Sequence, residues 1–124
     1  MPNPYQNKTI AVFGVSQDSS KYGYKIFHAL LQKGFNVYGI NPKGGQVDGQ
    51  HLYAALADIP AVVDVAIMVI PPAVLLGAVE QCKTKGVKEI WFQPGAQEDV
   101  AFVLATASGM KAVNACFMAE NGLW

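Results

Sequence analysis

Two cysteines in 124 residues, Cys82 and Cys116, are too few and too far apart for a disulfide framework, and no CxxC pair marks a zinc site. Reduced thiols in a cytosol fit that count. Charge of either sign is not in excess: nine Lys plus Arg offset nine Asp plus Glu, for zero formal net charge. Without a basic surplus, attraction to nucleic acid or to an anionic membrane has little to draw on, so neither is an expected partner. Any anion must be captured by local geometry. A long uninterrupted apolar span is also missing. The most apolar window, Ala61 to Val79, is broken by Asp64 and by Pro71-Pro72, which would leave a charge and unpaired backbone in lipid. The start, Met1-Pro2-Asn3-Pro4, has neither a basic nor an apolar stretch, so no secretory signal is expected and a cytoplasmic location is.

What is present is apolar and short. Hydrophobic residues make up 52% and charged residues 15%, a balance typical of buried parallel strands flanked by helices. The length suits one domain spanning residues 1–124. Thr9 to Phe13 is a near-continuous apolar run, as a strand covered on both faces should be. Ile26, Phe27, Leu30 and Leu31 recur at helical spacing between Tyr22 and Lys33, and Gly34 closes that helix. Asn36 to Ile40 reads as a second strand, and Gly44 to Asp58 as a loop with a short helix. Val62 to Ile70, rich in β-branched residues, is a third strand stopped by Pro71-Pro72. A helix from Ala73 to Lys85 ends at Gly86. Glu89 to Phe92 is a fourth strand, Gln97 to Ser108 a third helix, Lys111 to Asn114 a fifth strand, and Phe117 to Trp124 holds one short terminal turn.

Strands alternating with helices predict an α/β fold: a Rossmann-like open parallel sheet of about five strands, order 2-1-3-4-5, with helices on both faces. The topological switch then lies between strands one and three, and a ligand belongs outside the carboxyl ends there. Ser16, Asn41-Pro42-Lys43, Pro71-Pro72 and Gln93-Pro94-Gly95 follow those ends.

A strand, a tight loop and a helix in succession aim backbone N–H groups at an anion, so Gly14 to Tyr22 is a candidate phosphate cradle. Gly14 permits a tight turn, and Ser16, Ser19 and Ser20 carry hydroxyls for phosphate oxygens. The same residues also suit a plain turn with Ser20 as helix N-cap. Lys21 and Lys25 oppose the helix dipole, a conflict that a bound anion relieves. The spaced glycines of a dinucleotide fingerprint are missing after Gly14, and no Asp or Glu closes the second strand to hold a ribose hydroxyl. Lys43 stands there instead, attracting a phosphorylated ribose and disfavouring NAD. An ordinary Asn-Pro turn with a solvated lysine accounts for the same residues. Pro71-Pro72 presents flat apolar surface or simply stops a strand. Gln93 offers an amide partner beside Gly95, or is simply an exposed residue before a Pro-Gly turn.

No metal site, serine, histidine and acid arrangement or paired carboxylates stand out, and no catalytic residue is assigned. His28 lies mid-helix beside the apolar stripe and His51 in a polar loop, each read as a surface residue. Cys116 reads as a small buried hydrophobe rather than a redox or thioester residue, because a reactive thiol needs electropositive company, and Lys111 is the nearest cation in sequence while Glu120 is closer still.

Gly14-Val15-Ser16 with Ser20-Lys21-Tyr22-Gly23-Tyr24, Val37 to Lys43, Val63-Asp64-Val65-Ala66 leading to Pro71-Pro72, and Ile90 to Gly95 together resemble the small stand-alone CoA-binding proteins. Those are similar to the CoA-binding domain of the succinyl-CoA synthetase α subunit, and the resemblance covers nearly the whole chain in order. It implies CoA or acyl-CoA as ligand. Gly14, Ser16, Ser20, Lys21 and Tyr22 would meet the phosphates, Asn41, Pro42 and Lys43 the nucleotide, and Ile70, Pro71, Pro72, Gln93 and Gly95 the pantetheine path. Ile70 and Ala115 stand where the small proteins often carry Arg. The synthetase holds its phosphorylated histidine in a further domain with no counterpart in these residues, so a binding module rather than an enzyme is expected. Two other readings are an NAD(P)-dependent enzyme, which the fold permits, and an interaction subunit of a larger acyl-CoA ligase, with Phe117, Leu123 and Trp124 as an apolar docking patch if exposed. A homodimer is the other partner considered.

Overall fold

The computed structural model describes residues 3–124; Met1 and Pro2, part of the segment read for a secretory signal, lie outside the described residues. The described residues form seven strands, with helices between all but β2, β3 and β4: β1 (Thr9–Phe13), β2 (Asn36–Ile40), β3 (Gln46–Val47), β4 (Gln50–Tyr53), β5 (Val65–Met68), β6 (Glu89–Phe92) and β7 (Lys111–Asn114). They form one sheet in the order β3-β4-β2-β1-β5-β6-β7. All pairs are parallel except β3 with β4. The period of two divides β1 between two apolar layers, with Ala11 and Phe13 facing one and Ile10 and Val12 the other. Both layers are closed by helices. α1 (Tyr22–Gln32) sends Ile26, Phe27 and Leu30 onto Ile10, Val12 and Ile67, and α4 (Phe117–Glu120) adds Phe117 and Met118. α2 (Leu75–Lys85) and α3 (Asp99–Ala107) cover the opposite face through Leu75, Val79, Cys82, Ala101 and Ala105.

The five-stranded core has the order expected from the sequence, but the strand count is seven. Gly44 to Asp58, read as a loop with a short helix, instead supplies an antiparallel hairpin before a single tight helical turn at Leu56–Asp58. Asp48 and Gly49 at its tip both take positive φ, 52° and 77°, which is the two-residue Asp-Gly geometry that matches strand twist. β4 then adds parallel to β2, burying Val47 and Leu52. The third core strand is shorter than Val62 to Ile70. Asp64 stops it: its carboxylate accepts the Thr9 N–H at 2.8 Å and its own N–H donates to the Thr9 carbonyl at 2.9 Å. α2 begins later than Ala73, after one tight turn at Pro72–Val74 with proline in the first-turn position. α3 starts after Glu98, whose side chain accepts the Ala101 N–H at 2.7 Å as an N-cap. Among the described residues, no helix is long and apolar enough to cross a membrane.

One junction positions the mouth of the sheet. Gly14 takes φ +93°, and a Cβ there would lie 2.0 Å from the Val69 carbonyl oxygen. A Cβ on Gly23, in the first turn of α1, would lie 2.0 Å from the Gly14 carbonyl oxygen. The start of α1 thus rests directly on the backbone leaving β1. By helix propensity alone, Gly23→Ala would stabilise α1 by about 1 kcal/mol. Collision with a rigid carbonyl should reverse that sign, for a net loss of about 1–3 kcal/mol, the usual cost of overpacking. A urea midpoint above that of the parent chain would show that the junction yields.

Candidate functional site

β1 lies between β2 and β5, and the crevice between these neighbours opens at their carboxyl ends. Two grooves occupy it. The first, about 430 Å3, is lined by Tyr22, Val69, Ile70, Pro71, Pro94, Gly95 and Ala96, between α1 and the ends of β5 and β6. The second, about 420 Å3, lies among Phe13, Gly14, Ile40, Pro42, Ala54 and Ile70 on one side and Ala73 to Gln81 on the other. Ile70 borders both and forms the ridge between them. A further hollow of about 370 Å3 shares Gly77 and Gln81 with the second groove and runs along α2 away from the strand ends. Two of its polar residues are structural, since Gln81 Oε1 accepts the Leu56 N–H and Lys85 Nζ donates to the Ile59 carbonyl.

The loop after β1 is organised from within. The N–H groups of Gly14 and Val15 both donate to the Ile40 carbonyl, at 3.0 and 3.2 Å, so the free amides of the cradle begin at Ser16 or later. Ser16 Oγ accepts the Asp18 N–H at 3.0 Å, while the Ser20 N–H and hydroxyl donate to Asp18 Oδ1 at 2.9 and 2.7 Å. These two bonds from Ser20 hold the Asp18 carboxyl below its ordinary value, so it is charged at neutral pH. Ser20 is not the N-cap: that position falls to Lys21, and among the described residues no side chain caps the first-turn amides of α1. Asn41 is a clamp. Its Nδ2 donates to the Val15 carbonyl and its Oδ1 accepts the Lys43 N–H, both at 2.9 Å. Gln17 Oε1 accepts the Gln46 N–H at 3.2 Å and ties the loop to the hairpin. Lys21 and Lys43 are exposed, and among the described residues neither is paired with a carboxylate.

Tyr22, Ile70, Pro71 and Gly95 therefore meet on the first groove, and Gly14, Pro42 and Ile70 on the second. Among the described residues Ser16, Ser20, Lys21, Asn41, Lys43 and Pro72 line neither groove; the first five surround the loop and the turn beside it. Gln93 is not an exposed residue before a turn. It is fully buried, its Oε1 accepts the Phe117 N–H at 2.7 Å, and its Nε2 has no hydrogen-bond partner. A buried donor left so costs about 1–3 kcal/mol. Asp18, Gln17 and Ala54 were not singled out from the sequence, although Ser16, Asp18 and Ser20 have the spacing of side-chain turns.

Cys116 also departs from expectation. It is half-buried, with Sγ 3.1 Å from the Tyr22 hydroxyl and 3.5 Å from the Ala119 N–H. Burial pushes its thiol up. Donation from the Tyr22 hydroxyl, the Ala119 and Met118 amides and the nearby Gln93 amide outweighs that and leaves the pKa lowered. Gln93 acts there by proximity, outside hydrogen-bond geometry. Sequence distance concealed these donors, since Tyr22 and Cys116 are 94 positions apart. Burial and the bond to Cys116 raise the pKa of Tyr22. Cys82, buried in the opposite layer, is pushed up to about 12 by desolvation. The histidines stay apart from this cluster: His28 Nδ1 meets Asp48 Oδ2 at 2.5 Å, and His51 packs edge-on to Tyr53. Among the described residues, no group of three potential metal ligands comes together.

An open, mostly parallel sheet with a crevice at its switch defines a Rossmann-like α/β domain. Within that class, the chain belongs to the CoA binding domain family, which matches residues 8–122. It is similar to the acetate–CoA ligase [ADP-forming] II subunit alpha of Pyrococcus furiosus, 36% identical over 87 residues that make up 69% of this chain and 19% of that protein. A hypothetical protein from Pyrococcus horikoshii OT3 superposes with a TM-score of 0.88 at 32% identity, covering 93% of this chain and 82% of the other. The dinucleotide forming acetyl-coenzyme A synthetase 1 of Ca. Korarchaeum cryptofilum, solved with phosphate and ADP, gives 0.78 at 32% identity over 90% of this chain and 26% of its own. The chain spans between about an eighth and a fifth of the length of the curated relatives it matches.

Iodoacetamide should label Cys116 and spare Cys82 in the folded chain, with labelling of Cys116 rising at a lower pH than for a free cysteine, since more thiolate is present at each pH. Peptide mapping across a pH series checks both, and prior labelling of Cys82 would refute the arrangement.

Proposed function

We propose that this domain binds CoA or acyl-CoA without itself catalysing acyl transfer. The observation that carries this reading is the divided cleft at the strand ends, flanked by Lys43 where a dinucleotide site would present a carboxylate. The second groove, walled by Ile40, Pro42 and Ala54, suits an adenine ring. Lys43, on the turn beside Pro42, faces a ribose phosphate. The pyrophosphate would lie against the Ser16 to Tyr22 loop and the first-turn amides of α1, where the helix dipole favours an anion. The pantetheine arm would follow the apolar walls of Tyr22, Ile70, Pro71 and Gly95. When bound, CoA supplies a terminal thiol able to carry an acyl group. The ligase names of the relatives support the ligand class, and the resemblance to acetate–CoA ligases supports a related acyl metabolism.

All nine cations of the chain are lysines, so no guanidinium fork is available for bidentate phosphate contact. The Asp18 carboxylate adds a negative charge to the same loop. Capture then rests on amides and on single ammonium groups, which implies modest affinity.

A second reading, an interaction subunit docking on a larger acyl-CoA ligase, is favoured by the short share of each ligase that the match occupies. Of the three tail residues considered as a docking patch for that role, only Trp124 is exposed. Phe117 is buried between Tyr5 and Trp91, with ring centroids 4.9 and 5.2 Å away, and Leu123 is half-buried. Trp124 is exposed, and so are Val100 and Val103 on α3.

Calorimetry with CoA, NAD and NADP tests the leading reading. CoA should bind and NAD should not; tight NAD binding with no CoA heat would overturn it. Lys43→Ala should weaken CoA by about tenfold, equivalent to about 1.4 kcal/mol, and dephospho-CoA much less. Equal losses for both would remove Lys43 from the ribose phosphate.

A further inference from the structure

We infer that Cys116 is a covalent acceptor for CoA-class disulfides, joined through its Sγ to the pantetheine sulfur. The choice of ligand rests on the CoA reading above; the reactive cluster does not. Tyr22 is the shared element. Its ring lines the first groove while its hydroxyl lies 3.1 Å from Cys116 Sγ, so the thiol stands at the Tyr22 end of the proposed pantetheine path. The Gln93 amide provides the second observation. It is fully buried, its Nε2 is unpartnered, and it sits close enough to favour the ionised form of both Tyr22 and Cys116. A spare donor held against a thiol is of use to a sulfur that carries negative charge. The Ala119 N–H adds a contact at 3.5 Å.

The step is an exchange that balances without a further oxidant. Cys116 thiolate attacks one sulfur of CoA disulfide, a new bond forms between Sγ and the pantetheine sulfur, and the original S–S bond breaks. The departing CoA thiolate takes a proton from water, so Cys116 is oxidised as the released CoA is reduced. Cys82 cannot resolve the adduct, because it is buried in the layer on the other side of the sheet. Release therefore requires an external thiol, and the adduct is a capped state rather than a passing intermediate.

The test incubates the full chain with CoA disulfide and, separately, with glutathione disulfide, reading intact mass and mapped peptides over time. One CoA per chain on Cys116 is expected, formed at least tenfold faster than the glutathione adduct. It should be lost in Cys116→Ser, kept in Cys82→Ser, and slowed in Tyr22→Phe. An absent adduct, attachment at Cys82, or equal rates for the two disulfides would overturn the proposal. Titrating Cys116→Ser with reduced CoA separates this from the binding reading. Heat there, with no adduct on the parent chain, removes the thiol role and leaves CoA binding intact. No heat, with equal rates from both disulfides, removes both.

Discussion

The direct backbone contact between Gly14 and Gly23 is the constraint on which the mouth of this sheet depends. Two missing Cβ atoms let the first turn of α1 rest on the chain leaving β1, and let that chain pass against the Val69 carbonyl at the end of β5. Tyr22 is thereby fixed as a groove wall, and Ile70 becomes the ridge between the two halves of the cleft. Ion pairs contribute little to this placement. The pairs His28 with Asp48 and Lys111 with Glu89 lie at the hairpin and at the opposite end of the sheet, and exposed pairs are worth about 0–1 kcal/mol.

Hydrogen bonds from side chains complete what the glycines begin. Asn41 joins the loop after β1 to the turn after β2, and Gln17 joins the same loop to the hairpin. The result is a rim whose polar side chains are largely committed to one another, while its backbone amides at α1 are not capped. A ligand with spread negative charge suits such a rim better than one requiring many directed side-chain bonds. The lysine-only cation set points the same way, because an ammonium attracts as a point charge and imposes no planar geometry.

Much of the fold was legible because buried parallel strands leave dense apolar runs. β1, β2, β6 and β7 lie where their residues predict, and the strand order of the core follows from alternating strands and helices. The hairpin was not read, although Asp48-Gly49 is a turn signal; its flanking strands are too short to show a period. Val62 to Asp64 look like strand by composition, yet the Asp64 carboxylate makes a junction with Thr9 that only the third dimension displays. At the site, strand-terminal residues such as Ile70, Pro71 and Gly95 were legible because topology alone brings strand ends together. The burial of Gln93, the hold of Asp18 on Ser20 and the meeting of Tyr22 with Cys116 were not, since each depends on side-chain direction or on contacts between segments far apart in the chain.

The two borders of the sheet have a consequence for behaviour at high concentration. One border is β3, two residues long, and the other is β7, four residues long with exposed Lys111 at its start. Neither presents a long flat row of amides for another molecule to extend. A charged, abbreviated margin of this kind discourages edge-on polymerisation. The folded domain should therefore tolerate crowding without recruiting its neighbours into fibres.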